Sequence, residues 1–398
     1  MTPIDDELER LLQDPLTRRR LVKRGAAGAL SVSALAYLAA CGPRTGGVVQ
    51  SEGESDVIEK AKISDSLYFA NWPLYIEEDR GTLKEFEKEY GAAVKYVEEI
   101  NDNVEFFGKV RQQYAQGNSG GRDIHVVTDW MAGRMIRLGY VQRFDPAEIV
   151  TAQQNLIDRL RTPPFDAGRD YSMPWQSGFA GIVYRKDKVK REPESVDDLF
   201  DPDYKGKVTM LTEMRDTVGV VAASLGHDPE TATLDQFMEA VDKIGEAAES
   251  GQIRGFTGNE YTKDITKGDS WLLIGWSGDA VQLEADNPNI RFVSPESGVH
   301  LWTDNMQIPV GAPHAYTAQK MIDFVYRPEV QADIAEYVNY ICPVEGVQEI
   351  LAKRDPTLAE NQLIFPDDET LANAFIFRQL KPDEERQLDE AFQKVIGA

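Results

Sequence analysis

Tryptophan, tyrosine and carboxylate side chains recur together along this chain where a short apolar run gives way to a loop. Asn71-Trp72-Pro73-Leu74-Tyr75 follows Leu67–Ala70, and Thr128-Asp129-Trp130 closes a run that begins at Asp123. Glu213 and Asp216 come just after Lys207–Leu211, and Trp276-Ser277-Gly278-Asp279 ends the run from Trp271. Such a mixture suits an organic cation with spaced ammonium groups, a polyamine above all. The flat rings wall the methylenes and attract cations through their faces by about 0.5 to 2 kcal/mol each. Each carboxylate adds a charge-assisted hydrogen bond worth about 1.5 to 3 kcal/mol. Two or three of each cover the roughly 8 kcal/mol that micromolar binding needs, after the cost of ordering a flexible ligand. Basic residues are scarce at these positions, which speaks against an anionic ligand. Arg215 is the exception, and on a helix it is expected to point away from Glu213 and Asp216.

The elements that position these residues are short buried strands alternating with helices. Leu67–Ala70, Val94–Val97, Asp123–Thr128, Gly181–Tyr184, Lys207–Leu211 and Trp271–Trp276 read as strands. Between the first two, Thr82 and Glu85 have capping-box spacing, Leu83, Phe86 and Tyr90 share a face, and Gly91 stands at the end. The class is α/β with open, mostly parallel sheets, which bind ligands beyond the carboxyl ends of their strands. No internal repeat is visible. Core packing is the alternative for Trp72, Trp276 and Trp302, and a cap or turn is the alternative for Asp216, Asp279 and Asp304. Trp175, Trp271 and Tyr184 read as core.

The 398 residues suffice for one large core or two medium ones. A net charge of -24 and a pI near 4.6 exclude a nucleic-acid binder, which needs clustered Lys and Arg. The acidity favours cationic ligands, although a saline habitat would select it too. The first 40 residues read as targeting sequence. Thr17-Arg18-Arg19-Arg20-Leu21-Val22-Lys23 resembles the twin-arginine export motif, and a stretch of Ala, Gly and Ser follows. Leu38-Ala39-Ala40-Cys41 is similar to a bacterial lipobox, with Cys41 as the lipidated residue. The mature chain is therefore expected to be anchored without spanning the membrane. Residues 41–63 read as a flexible tether. Ile4, Leu8, Leu11 and Leu12 share a helical face ahead of the arginines, to no assigned purpose. With Cys41 committed to lipid, Cys342 has no disulfide partner and reads as a small buried residue. His125, His227, His300 and His314 lack metal-ligand spacing, so no metal or other cofactor is expected.

A family resemblance rests on motifs in one order. Leu67-Tyr68-Phe69-Ala70-Asn71-Trp72-Pro73-Leu74-Tyr75-Ile76 opens it. Asp198-Leu199-Phe200-Asp201-Pro202, Tyr204-Lys205-Gly206-Lys207 and Ile274-Gly275-Trp276-Ser277-Gly278-Asp279 follow. Pro295-Glu296-Ser297-Gly298, Trp302-Thr303-Asp304, Arg327-Pro328-Glu329-Val330 and Tyr340-Ile341-Cys342-Pro343 complete it. From about Ser66 onward the chain resembles bacterial spermidine/putrescine-binding proteins, the substrate-binding components of polyamine ABC importers. The resemblance implies a two-lobed periplasmic-binding-protein fold (type II), built of two open mixed sheets with a hinge between lobes. Residues 64–178 and 277–318 are expected in one lobe, and 179–276 and 319–398 in the other. It further implies a monomeric, non-enzymatic protein working with ABC permease subunits on the outer face of the cell membrane. The implied ligand contacts are Trp72, Tyr75, Thr128, Trp130, Glu213, Asp216, Trp276, Asp279, Trp302 and Asp304. Glu213 matches a carboxylate of spermidine-preferring members. Pro73 and Leu74 depart from the polar residues common there, and Gly258 or its neighbours stand where some members have serine. Another amine or a cationic amino acid is the closest rival ligand. A glycoside hydrolase, with paired carboxylates and aromatic platforms, is the remote one.

Overall fold

The computed structural model describes residues 57–397. The export motif, Cys41 and most of the expected tether lie outside the described residues. The chain is already tied down at the start of that range, short of residue 63. Val57 bridges to Arg143, Ile58 is buried, and the Lys60 ammonium pairs with Glu148 at 2.9 Å.

Ten strands form the sheet: β1 (Ser66–Asn71), β2 (Ala93–Glu98), β3 (Ile124–Thr128), β4 (Met173–Arg185), β5 (Val208–Leu211), β6 (Ile253–Thr257), β7 (Leu272–Trp276), β8 (Ile290–Val293), β9 (Val299–Gln307) and β10 (Ala374–Phe375). The hydrogen-bonded order is β2-β1-β3-β9-β4-β7-β5-β6, with β10 on β9 and β8 on β4. The outer ladders are parallel, as the strand-helix-strand pattern predicts, because each crossover carries a helix. The centre is antiparallel. There β4 and β9 run side by side from Met173 opposite Met306 to Ala180 opposite His300, each also pairing with an outer strand. Among the described residues these two strands are the sheet connection between the half carrying β1–β3 and the half carrying β5–β7. Every residue of β4 is buried, which fits a strand covered on both faces. The short apolar run at Gly181–Tyr184 is only its far end.

Helix packing completes each half. Helix Gly81–Tyr90 packs against Ala315–Val325 and Pro328–Val338 beside the first half. Helix Leu234–Glu249 packs against Met214–Ser224 and the terminal helix Pro382–Ile396 beside the second. The expected capping box at Thr82 and Glu85 does not form. The helix starts at Gly81 after a left-handed residue, Arg80 (φ 56°), and the Thr82 hydroxyl donates to the Glu77 carboxylate instead. Gly91 ends it in the left-handed region (φ 72°), which glycine enters without strain. Trp175 and Tyr184 are buried in the core and Trp271 is half-buried. Cys342 is also buried, its thiol directed to the Val344 carbonyl at 3.7 Å and pushed up to about 12 by burial. Among the described residues no helix is long and apolar enough to cross a membrane, and no group of three or more His, Cys, Asp or Glu could hold a metal ion.

Candidate functional site

A narrow cavity of about 30 Å³ lies where the paired strands β4 and β9 join the halves, and all ten residues singled out in the sequence line it. The first half supplies Trp72 and Tyr75 from the β1 loop, and Thr128 and Trp130 from the end of β3. Leu74 adopts a left-handed turn (φ 58°) between the two aromatics, which lets both return to the cavity. The second half supplies Glu213 and Asp216 at the start of helix Met214–Ser224. It also supplies Trp276 and Asp279 at the start of helix Ser277–Asp286. Trp302 and Asp304 come from β9 itself. Helix starts favour negative charge, so the backbone supports the carboxylates of the second half.

The rings pack in two groups. Trp72 meets Trp276 edge-on at 6.0 Å between centroids, and Tyr340 meets Tyr75 at 5.4 Å and Trp302 at 5.3 Å. All these rings are buried, so core packing and cavity lining turn out to be the same role. Close packing fixes two glycines. A Cβ on Gly178 would meet Trp302 at 2.5 Å, and one on Gly278 would meet the Tyr340 ring at 2.4 Å.

None of the three aspartates caps a helix. Asp304 accepts from Thr128 Oγ1 at 2.7 Å and from Tyr75 Oη at 2.9 Å. Burial nevertheless pushes its carboxyl up to about 7. Asp279 accepts from Tyr340 at 2.7 Å, Tyr261 at 2.7 Å and Asn259 at 3.1 Å, and burial again outweighs these donors and raises it. Asp216 accepts from Trp276 Nε1 at 2.9 Å and pairs with His300 Nδ1 at 2.6 Å. Glu213 is raised well above the usual carboxylate range, by burial first and by Asp102 and Asp216 next. The cavity is thus strongly acidic in composition while its dry surroundings resist full ionisation. A cation entering it relieves that conflict. Two buried polar atoms beside it, Trp302 Nε1 and Asn259 Oδ1, make no hydrogen bond within the protein.

Five contributors were missed in the sequence. Tyr340 and Asn259 line the cavity and Tyr261 stands behind it, holding Asp279. They lie in or beside helices and loops, where a search beyond strand ends does not look. His300 was set aside on metal-ligand spacing and instead partners Asp216. Arg215 bonds neither Glu213 nor Asp216, as expected, yet it reaches the cavity edge. Its guanidinium lies 3.7 Å from the Trp130 ring centre at the cavity edge, and its charge is met by Glu385 at 2.6 Å. Gly258 sits against the opposite half, since a Cβ there would lie 2.4 Å from the Asn101 carbonyl oxygen. A serine in that place is incompatible with so close an approach.

Comparison with known proteins matches this geometry. The spermidine/putrescine-binding periplasmic protein of Escherichia coli is 27% identical over 313 residues, which is 78% of this chain and 86% of that protein. The putrescine/cadaverine-binding protein of Pseudomonas aeruginosa is 26% identical over 349 residues, 84% of this chain and 95% of that one. Among solved structures, the spermidine/putrescine ABC transporter substrate-binding protein of Streptococcus pneumoniae superposes with a TM-score of 0.68 at 27% identity. That match covers 83% of this chain and 98% of that one. Such neighbours are substrate-binding proteins of the two-lobed fold. The family profile described as bacterial extracellular solute-binding protein matches residues 82–365. With a cavity enclosed between two halves that two strands join, this chain belongs to the bacterial extracellular solute-binding protein family.

Proposed function

We propose that this protein captures a polyamine, putrescine or spermidine, between its lobes and delivers it to an ABC importer. The observation that carries the reading is one cavity lined together by the carboxyl residues Asp216, Asp279, Asp304 and Glu213 and the rings of Trp72, Tyr75, Trp276 and Trp302. Methylenes lie against the rings, and ammonium groups take the carboxylates as counter-charges. Asn259 Oδ1, beside Asp279 and without a protein donor, offers a further acceptor to an ammonium. Thr128 and Trp130 shape the remaining edge.

The hinge of this reading lies in β4 and β9. Residues 64–178 belong to the first lobe and 179–276 to the second, as the sequence suggests. Helix Ser277–Asp286 goes with the second lobe because it packs on β7 and β8, and Ala315–Val325 goes with the first because it packs on Gly81–Tyr90. Export by the twin-arginine route, lipidation at Cys41 and a monomeric state complete the proposal. The export route is supported by Arg18-Arg19-Arg20 and the lipidation by Leu38-Ala39-Ala40-Cys41.

The test is calorimetric titration of the chain from Gly42 onward, refolded to strip bound solute. The ligands are putrescine, spermidine and spermine, with arginine and maltose as controls. Saturable heat at micromolar or tighter affinity with a polyamine alone is the expected result. Heat only with arginine would move the ligand to a cationic amino acid, and no heat with any amine would refute the reading.

A further inference from the structure

Glu213 is gripped by the half of the protein to which it does not belong. It precedes helix Met214–Ser224 of the second lobe. Yet its Oε1 accepts the Asn103 backbone N–H at 2.6 Å and the Asn103 Nδ2 at 2.8 Å. Asn103 is the first residue of helix Asn103–Tyr114 in the first lobe, so its N–H is one of the donors a helix cannot pair internally. Asp102 satisfies the Glu105 N–H and leaves that of Asn103 to Glu213. Behind this contact Asn103 is locked to the cavity wall. Its Nδ2 also donates to Thr128 Oγ1 at 2.8 Å, and its Oδ1 accepts the Thr128 N–H at 3.1 Å. Asn103 and Glu213 are both buried. Both bonds to Asn103 fall on Oε1, whereas Glu213 also lines the cavity. One carboxyl therefore faces two ways.

We propose that Glu213 converts ligand charge into cleft closure: an ammonium beside it fixes it as a carboxylate, and the carboxylate clasps the helix start of the opposite lobe. The nature of the ligand rests on the polyamine reading above, but the clasp does not. Charge-assisted hydrogen bonds are about twice as strong as neutral ones, so the grip on Asn103 tightens when Glu213 ionises. In the empty cleft, burial and the neighbouring Asp102 and Asp216 oppose that ionisation, and the nearby Arg215 is already paired with Glu385. A bound cation removes the opposition and stabilises the closed form over the open one, which is all a ligand need do to shift the equilibrium.

The experiment compares wild type, Glu213→Gln, Asn103→Asp and the double variant. Closure is read from the radius of gyration by small-angle X-ray scattering, without ligand and with saturating spermidine. Affinity is read by calorimetry. Asn103 does not line the cavity but holds Thr128, so the clasp is read from closure and from the double variant as well as from affinity. Asn103→Asp removes the Nδ2 donor and sets a carboxyl against the ionised Glu213, so it should leave the spermidine-saturated protein more open than wild type and weaken spermidine about tenfold or more. Glu213→Gln should weaken it by a similar factor. The double variant should be no worse than Asn103→Asp alone, because Gln removes the repulsion. Wild-type closure by Asn103→Asp, or losses that simply multiply in the double variant, would overturn the proposal. If Asn103→Asp does not fold, Asn103→Ala takes its place; it deletes Nδ2 and keeps the backbone N–H, with a smaller loss expected. Failure of wild type to bind spermidine would instead sink the polyamine reading, and the clasp would still be judged by the ligand-free radii of wild type and Asn103→Asp at a pH high enough to ionise Glu213: equal radii there would overturn it.

Discussion

Gly278→Ala turns the packing of the cavity into a number. The position is the second residue of helix Ser277–Asp286, where alanine in place of glycine ordinarily stabilises by about 0.5 to 1 kcal/mol. Here the added methyl would lie 2.4 to 2.5 Å from three carbons of the Tyr340 ring. The ring would have to retreat by about 1 Å to reach ordinary van der Waals contact. It has little room to do so, with Tyr75 packed at 5.4 Å and Trp302 at 5.3 Å between ring centres. Movement on that scale also breaks the 2.7 Å bond from Tyr340 to Asp279. Overpacking costs about 1 to 3 kcal/mol. A lost hydrogen bond to a charged group costs about 1.5 to 3 kcal/mol more. Set against the helix gain, the net loss of stability is about 1.5 to 5.5 kcal/mol. The assay is urea unfolding of the ligand-free protein, paired with calorimetric titration of putrescine and spermidine. The expected outcome is a clear fall in the unfolding midpoint together with at least tenfold weaker binding. A variant as stable as wild type, or more stable, would show that Tyr340 is not wedged against Gly278. It would refute the account of how Asp279 is held.

Two further perturbations probe the charges. Asp304 is held up at about 7 by burial, so the folded protein keeps a proton there that the unfolded chain releases near pH 4. Its contribution to ligand-free stability is complete below that unfolded value and is lost as pH rises through 7, whereas affinity for a cation runs the other way. Binding should weaken about tenfold from pH 8 to pH 6, and Asp304→Asn should abolish most of that slope while lowering affinity at pH 8. An unchanged slope in titrations of the variant would remove Asp304 from the cation site. Glu385→Gln leaves the buried Arg215 guanidinium without its 2.6 Å partner and should cost about 3 kcal/mol in urea unfolding. A midpoint equal to wild type would mean that Asp389 carries the compensation instead.

Much of the site was legible in the sequence because open α/β sheets put their functional loops at strand ends. Trp72, Thr128, Glu213 and Trp276 stand there by covalent necessity once the strands are placed. Asp216 and Asp279 follow within one turn of helix. Tyr340 and Asn259 were not legible, because nothing in their local sequence says that their side chains meet across the chain at Asp279. The misread capping box makes the same point on a smaller scale. Thr82 and Glu85 have the right spacing, but a left-handed residue at Arg80 starts the helix earlier and hands the Thr82 hydroxyl to Glu77.

The sequence by itself determined the α/β class, six of the ten described strands, and an aromatic and acidic cluster suited to an organic cation. These follow from periodicity and side-chain chemistry, which are local. Only the tertiary structure decided how each carboxylate is held. Burial between two halves raises Asp279, Asp304 and Glu213 against their donors. It also brings Asn103 of one lobe onto Glu213 of the other, across 110 residues of chain. Desolvation and cross-cleft hydrogen bonds depend on what surrounds a group in space. No spacing along the chain encodes them.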